Sequence, residues 1–193
     1  MPDRTADYPI MPQFTDRWSP RAFDPRPMAK EQLLSLFEAA RWAPSASNIQ
    51  PWRFAYALNG DSHWQDFFAT LIPFNQSWAG SASALVFVIS DTLMGKGDDL
   101  KPSHSHSFDA GAAWMALALQ ANSMGLIVHG MLGVDLEAAR TMLKLSDRYR
   151  IEAAIAVGYQ GEKSTLSDAL QEREAPSDRR PVSESIFHGP ANI

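Results

Sequence analysis

The stretch at 108–124 limits what this chain can fold into more than any other feature. It carries helical spacing, is apolar nearly all round, and is closed by Gly125. A helix of that kind needs cover on every side, so it belongs in the middle of a core or across a subunit interface. Its longest apolar run, 110–119, is too short and too alanine-rich to cross a bilayer. Partners for it are present. Residues 84–90 and 151–159 read as buried strands by their β-branched and apolar runs, the second ended by Gly158 and Gly161.

The other elements follow from local signals. Residues 30–42 form a helix whose broad apolar face is Leu33, Leu34, Leu36, Phe37 and Ala40, stopped by Pro44. Residues 43–52 form a loop held between Pro44 and Pro51, and 53–58 alternate as a short strand. Asp61 caps a helix over 62–71, and Asp135 caps one running to about residue 145. Residues 126–131 are a strand, and 91–107 are an exposed polar loop. The first 28 residues carry six prolines, which excludes a helix there. After Gly161 the chain is polar, with Pro176, Pro181 and Pro190. Strands alternating with helices imply an α+β or α/β fold. Proline-rich arms at 1–28 and 162–193 are expected to embrace a partner, so a homodimer is expected. There is no internal repeat and no linker, and 1–193 is expected to form one domain.

Composition removes several classes of function. The chain has no cysteine, which excludes thiolate zinc sites, iron–sulfur clusters and cysteine nucleophiles. The net charge of -5 gives no footprint for nucleic acid. Residues 1–20 lack an apolar signal core, and a cytoplasmic protein without a membrane segment is expected. No G-x-G-x-x-G, Walker loop, G-x-S-x-G or H-E-x-x-H occurs. His104 and His106 share a face if extended, but with no third ligand nearby they read as two exposed loop histidines, and no metal is expected.

Three segments carry candidate chemistry. Arg17, Ser19 and Arg21 alternate, so an extended chain points all three to one side, which suits a phosphate. The same pattern also fits a solvated basic edge. The loop between Pro44 and Pro51 offers Ser45, Ser47, Asn48 and free backbone amides to a planar heterocycle, or simply ends a helix. Arg179 completes a phosphate clamp or is a surface charge.

In order and spacing these segments resemble the FMN-dependent nitroreductase family, over roughly residues 17–187. The most specific piece is the run from Ala43 to Trp52, preceded by Arg-x-Ser-x-Arg-x-Phe at 17–23. Further matches are Phe74-Asn75, the helix at 108–124, Gly125-Leu126, Gly133-Val134-Asp135, Val157-Gly158-Tyr159 and Arg179-Arg180-Pro181.

The resemblance implies a three-layer α+β sandwich of nitroreductase type, with a central mixed sheet flanked by helices and with extended arms. It also implies a homodimer holding FMN at the subunit interface. Arg17, Ser19 and Arg179 match the phosphate-binding positions, and Arg21 matches the basic residue beside the flavin N1 and O2 edge. Pro44, Ser45, Ser47 and Asn48 match the loop that reaches the flavin from the other subunit. Asn75 matches a residue near the pyrimidine end, and Gly133 the glycine whose N–H lies near flavin N5, with Leu132 before it. The implied activity is NAD(P)H-driven reduction of nitroaromatics, quinones or similar acceptors, by ping-pong hydride transfer through flavin N5. No residue of the chain itself is then a catalytic acid or base, and Arg21 gives electrostatic support. Related FMN reactions (dehalogenation, dehydrogenation, flavin fragmentation) and flavin binding without turnover are the alternatives. Larger members have an acidic residue where Leu132 falls and lysines where Trp78 and Ser177 fall. Trp78, Phe74, Trp114 and Phe108 are either core or acceptor-pocket wall. His129 is either near the flavin or a satisfied strand-end histidine.

Overall fold

The computed structural model describes residues 4–191. Strand β3 (Ala84–Asp91) is buried at every position. Side chains alternate across a strand, so it feeds two cores. Leu85, Phe87 and Ile89 enter one; Ala84, Val86 and Val88 enter the other. A strand buried on both faces demands a layer on each. One layer is α2 (Lys30–Arg41) packed on α5 (His106–Ser123), which contribute Leu33, Leu36 and Ala40, and Ala110, Ala113, Leu117 and Ala121. The other holds α3 (Trp64–Ala69), α4 (Pro73–Ala79), α6 (Leu136–Met142) and α7 (Asp168–Gln171), with Trp64, Phe67, Trp78, Ala139 and Leu170. The result is the α+β three-layer arrangement. Among the described residues no helix is long and apolar enough to cross a membrane.

β7 (Tyr149–Gln160) is the central strand. It pairs with β3, which pairs with β2 (Trp52–Leu58); β6 (Ile127–Met131) and the short β1 (Phe23–Asp24) also pair with β7. The register includes Phe54 with Val88, Val86 with Ile155, and His129 with Ala156. Every described pairing is antiparallel, which corrects the expected mixed sheet. The cause is visible in the connections. The chain leaves β2 at Leu58 and returns through α3 and α4 to Ala84, which pairs with Leu58. A parallel neighbour needs a crossover to the opposite end of the sheet. The β3–β7 ladder slips between Val88 and Ile89, and the slip leaves Glu152 unpaired.

Several local expectations change. Despite the prolines, α1 (Gln13–Asp16) forms one helical turn in the N-terminal arm. Pro12 stands just before it, where a missing N–H costs no hydrogen bond. Asp61 does not cap α3; its carboxylate accepts from Leu58 N and His63 N in the turn before it. Helix α4 has no long apolar run to announce it, and starts on Pro73. The 91–107 loop contains a two-residue hairpin, β4 (Leu93–Met94) with β5 (Lys101–Pro102). His106 is not an exposed loop residue. It opens α5, with Nδ1 2.8 Å from Ser90 Oγ, and Ser90 Oγ and Ser107 Oγ donate to Glu152. The C-terminal arm is not purely extended: it includes α7, and Leu166 and the α7 residue Leu170 are buried in the core. The two arms meet, Val182 N donating to Asp7.

Leu117 is fully buried at the middle of α5. Leu117→Ala leaves a cavity there and is expected to cost about 2–5 kcal/mol of stability in urea unfolding.

Candidate active site

The N-terminal arm enters the body as extended chain at Arg17, whose Nη1 donates to Ser19 Oγ at 3.3 Å. Arg17, Ser19 and Arg21 all line one cleft of about 300 Å³, and Trp18 between them lines it too. The far wall brings Arg173 and Arg179 from the C-terminal arm, and β6 contributes His129. The clasp between these walls is Glu174. Its Oε1 accepts Arg21 N at 2.7 Å and Ala22 N at 2.9 Å, and the side chain is buried.

The electrostatics of this cleft are lopsided. Four guanidiniums line it, and among the described residues none of Arg17, Arg21, Arg173 and Arg179 is in a salt bridge. Burial, then repulsion from Arg179 and Arg4, holds Arg17 below the ordinary arginine pKa. Burial and Arg173 do the same to Arg21, opposed by Glu174. Arg21 Nε is buried without a partner. Arg17 and Arg21 are half-buried and Arg173 and Arg179 exposed, and four like charges with the single counter-charge of Glu174 beside them are unfavourable alone; an anion of the right shape relieves them. A phosphate monoester fits the donor set, because guanidiniums and a hydroxyl donate to its oxygens. A larger groove, about 540 Å³, runs between the two arms and shares Arg179 with the cleft.

A second group of candidates lies beside the first. Asn75 is buried, and its Nδ2 donates to Gly133 O at 2.9 Å. A Cβ on Gly133 would lie 2.6 Å from both Asn75 Nδ2 and Ile72 Cδ1, so a side chain there would have to displace both. Among the described residues the Gly133 N–H donates to none, so it is free for a ligand. Leu132 is 82% exposed next to it. Trp78 joins the two groups; its ring lies 4.6 Å from that of His129, centroid to centroid. Trp78 is core, while Phe108 and Phe74 are exposed and Trp114 packs against Gly130. His129 is not at a strand end but in the middle of β6; its Nδ1 bonds Pro20 O at 2.9 Å, and the residue lines the cleft.

The third group, Pro44, Ser45, Ser47 and Asn48, is not brought to the cleft within one chain. The loop is stiff. Ser47, Asn48 and Gln50 hold φ of 50°, 54° and 49°, values that non-glycine residues rarely adopt. Ser45 Oγ accepts Gln50 N, and the buried Asp109 of α5 accepts Ala46 N. Arg173 and Glu174 carry no motif and are missed by sequence reasoning. A glutamate in a polar, proline-flanked tail gives no sign that it will be buried.

The family model described as "Nitroreductase family" matches residues 14–63 and 63–159. The chain belongs to the nitroreductase family. A Streptococcus pyogenes serotype M6 protein, described as a candidate NAD(P)H nitroreductase, is 27% identical over 198 residues, covering 86% of this chain and 92% of its own. A solved structure described as an oxidoreductase containing FMN is 48% identical, covers 98% of this chain and 96% of its own, and superposes with a TM-score of 0.95. A candidate nitroreductase from Desulfovibrio desulfuricans, solved in complex with FMN, is 25% identical with a TM-score of 0.71, covering 95% and 99% of the two chains.

In this nitroreductase-family chain Arg17 sits among like charges, so it contributes little to the stability of the ligand-free protein. Arg17→Ala is expected to leave the ligand-free melting temperature within a few degrees of the parent, about the effect of ±0.5 kcal/mol. It is also expected to abolish most of the stabilisation by millimolar inorganic phosphate. Thermal melts with and without phosphate check both.

Proposed function

We propose that this chain is an FMN-dependent oxidoreductase that spends NAD(P)H to reduce nitroaromatics, quinones or similar electron-poor acceptors. The observation that carries the reading is the convergence of Arg17, Ser19 and Arg179 on one cleft in which, among the described residues, neither arginine is in a salt bridge. Family membership and the FMN of the 48% identical relative support it.

In this reading Arg17, Ser19 and Arg179 hold the phosphate. When bound, FMN supplies the two-electron redox chemistry. Arg21 is a fixed cation: Glu174 anchors its backbone, and burial strengthens the field of its guanidinium. It therefore stabilises negative charge placed beside it. Gly133 presents an N–H with no competing acceptor among the described residues, at a point where a side chain would have to displace Asn75 and Ile72. Ile72, Phe74 and Leu132 are exposed and apolar nearby, which excludes charge from that wall and suits uncharged acceptors.

The working unit is a homodimer. Phe108 is 81% exposed and Trp42 74%, and the arms leave Tyr8, Ile10, Phe14, Ile186 and Phe187 uncovered. Apolar side chains uncovered in such number mark an interface. In the dimer the loop bearing Pro44, Ser45, Ser47 and Asn48 reaches the partner's cleft, and the arms at 1–28 and 162–193 wrap the partner. This leaves 1–193 as one domain.

The purified protein is expected to be yellow, dimeric by sedimentation, and to carry one FMN per subunit. Anaerobic mixing with NADH or NADPH should bleach it, and a quinone or nitroaromatic should restore the colour. Absence of flavin after reconstitution contradicts the assignment, and a flavin that neither nucleotide reduces points to binding without turnover. Arg21→Ala is expected to lower the midpoint potential by about 30 mV, the equivalent of about 1.4 kcal/mol for a two-electron couple. Spectroelectrochemistry reads this shift.

A further inference from the structure

His129 lines the arginine cleft from β6, and nothing derived so far uses it. Its ring is held on two sides. Nδ1 lies 2.9 Å from Pro20 O, and the Trp78 ring packs against it at 46°. A carbonyl oxygen only accepts, so the ring proton sits on Nδ1. The neutral imidazole therefore keeps a bare lone pair on Nε2, and among the described residues no protein group bonds that nitrogen.

The charged groups around the ring come from both arms. Arg17 and Arg21 face the cleft from the N-terminal side and Arg173 and Arg179 from the C-terminal side, with Glu174 on the backbone amides of Arg21 and Ala22 beside it. Trp78 of α4 and the cross-strand neighbour Ala156 of β7 add no charge. Glu174 is the one anion in the set, and its Oε1 is committed to two backbone amides. Burial first, with Arg21 adding to it, holds His129 below the ordinary histidine pKa; the Pro20 and Ser19 backbone and Glu174 pull the other way. In the free protein the imidazole is thus mainly neutral near pH 7.

We propose that His129 is a further anion-binding residue of this cleft, taking up one proton from solvent when a phosphate monoester enters and returning it on release. The proposal rests on the cleft being the phosphate cradle of the flavin. A dianion reverses the local field that disfavours a fifth cation. The proton goes to Nε2, which changes from acceptor to donor, while Nδ1–H stays on Pro20 O. No other bond changes.

The sign follows from linkage. Protonation is favoured more in the bound state than in the free state, so binding tightens as pH falls through the bound-state value, and the gain is complete below the free-state value. The ester's own second ionisation, near pH 6, opposes this at lower pH, so the useful window is about pH 8.5 to about pH 6.5.

The test titrates the flavin-free protein with FMN, and with riboflavin as the phosphate-free probe, by flavin fluorescence across that window. Parent and His129→Gln are compared, because glutamine retains an N–H for Pro20 O. In the parent the FMN Kd is expected to fall about three- to tenfold across the window, within the limit of about tenfold per pH unit for one proton. Riboflavin in the parent, and FMN in the variant, should give flat profiles. An equal FMN slope in parent and variant, or a flat FMN profile in the parent, overturns the proposal while leaving the flavin reading intact. Failure of both flavins to bind at any pH overturns the flavin reading and the proposal together. If His129→Gln does not fold, nitrogen NMR of the parent imidazole decides. Addition of FMN near pH 7 should move Nε2 to its protonated shift, and an unmoved resonance overturns the proposal.

Discussion

The buried carboxylate of Glu174 holds the two ends of the chain together. Its Oε1 accepts the amides of Arg21 and Ala22, residues 153 and 152 positions away. A charged acceptor serving two backbone donors is stronger than a neutral one, and its removal leaves both donors buried and unpaired. That contact sets the start of β1, fixes the backbone of Arg21, and places Arg173 on the same cleft.

The clasp also explains why the cleft tolerates so much positive charge. Arg17, Arg21, Arg173 and Arg179 are gathered by backbone hydrogen bonds, side-chain packing and the sheet, not by ion pairs with one another's neighbours. Two sealed cores on either face of β3 make the body rigid, and Arg17 and Arg21 are half-buried against it, while Arg173 and Arg179 are exposed on the C-terminal arm. A site preorganised in this way needs little rearrangement to receive an anion. The same rigidity keeps Asn75 against Gly133 and keeps the Gly133 N–H free.

Much of this was legible in the sequence. The buried strands at 84–90 and 151–159 and the apolar helix at 108–124 fixed the layers, because two-sided burial leaves few arrangements. Alternation of Arg17, Ser19 and Arg21 suggested one shared side; all three line the cleft, but so does Trp18 between them. The rest was hidden for physical reasons. Strand direction depends on where each connection returns, which no local pattern records, so the sheet was expected to be mixed. Helix α4 is short and begins on proline, and its sequence also suits a loop. His106 looks like a loop residue until the bulge at Glu152 and the hydroxyl of Ser90 meet it. Glu174 lies in a polar tail, and its burial follows only from the tertiary path of both arms.

The central claim is that guanidinium groups in this cleft grip a phosphate tail, and the most direct measurement is the ratio of FMN to riboflavin affinity by equilibrium dialysis. The two ligands differ only in the phosphate. One charge-assisted hydrogen bond contributes about 1.5–3 kcal/mol, so FMN is predicted to bind at least about tenfold more tightly, with the advantage shrinking as salt rises. Equal affinities for the two flavins, unchanged by salt, would contradict the account.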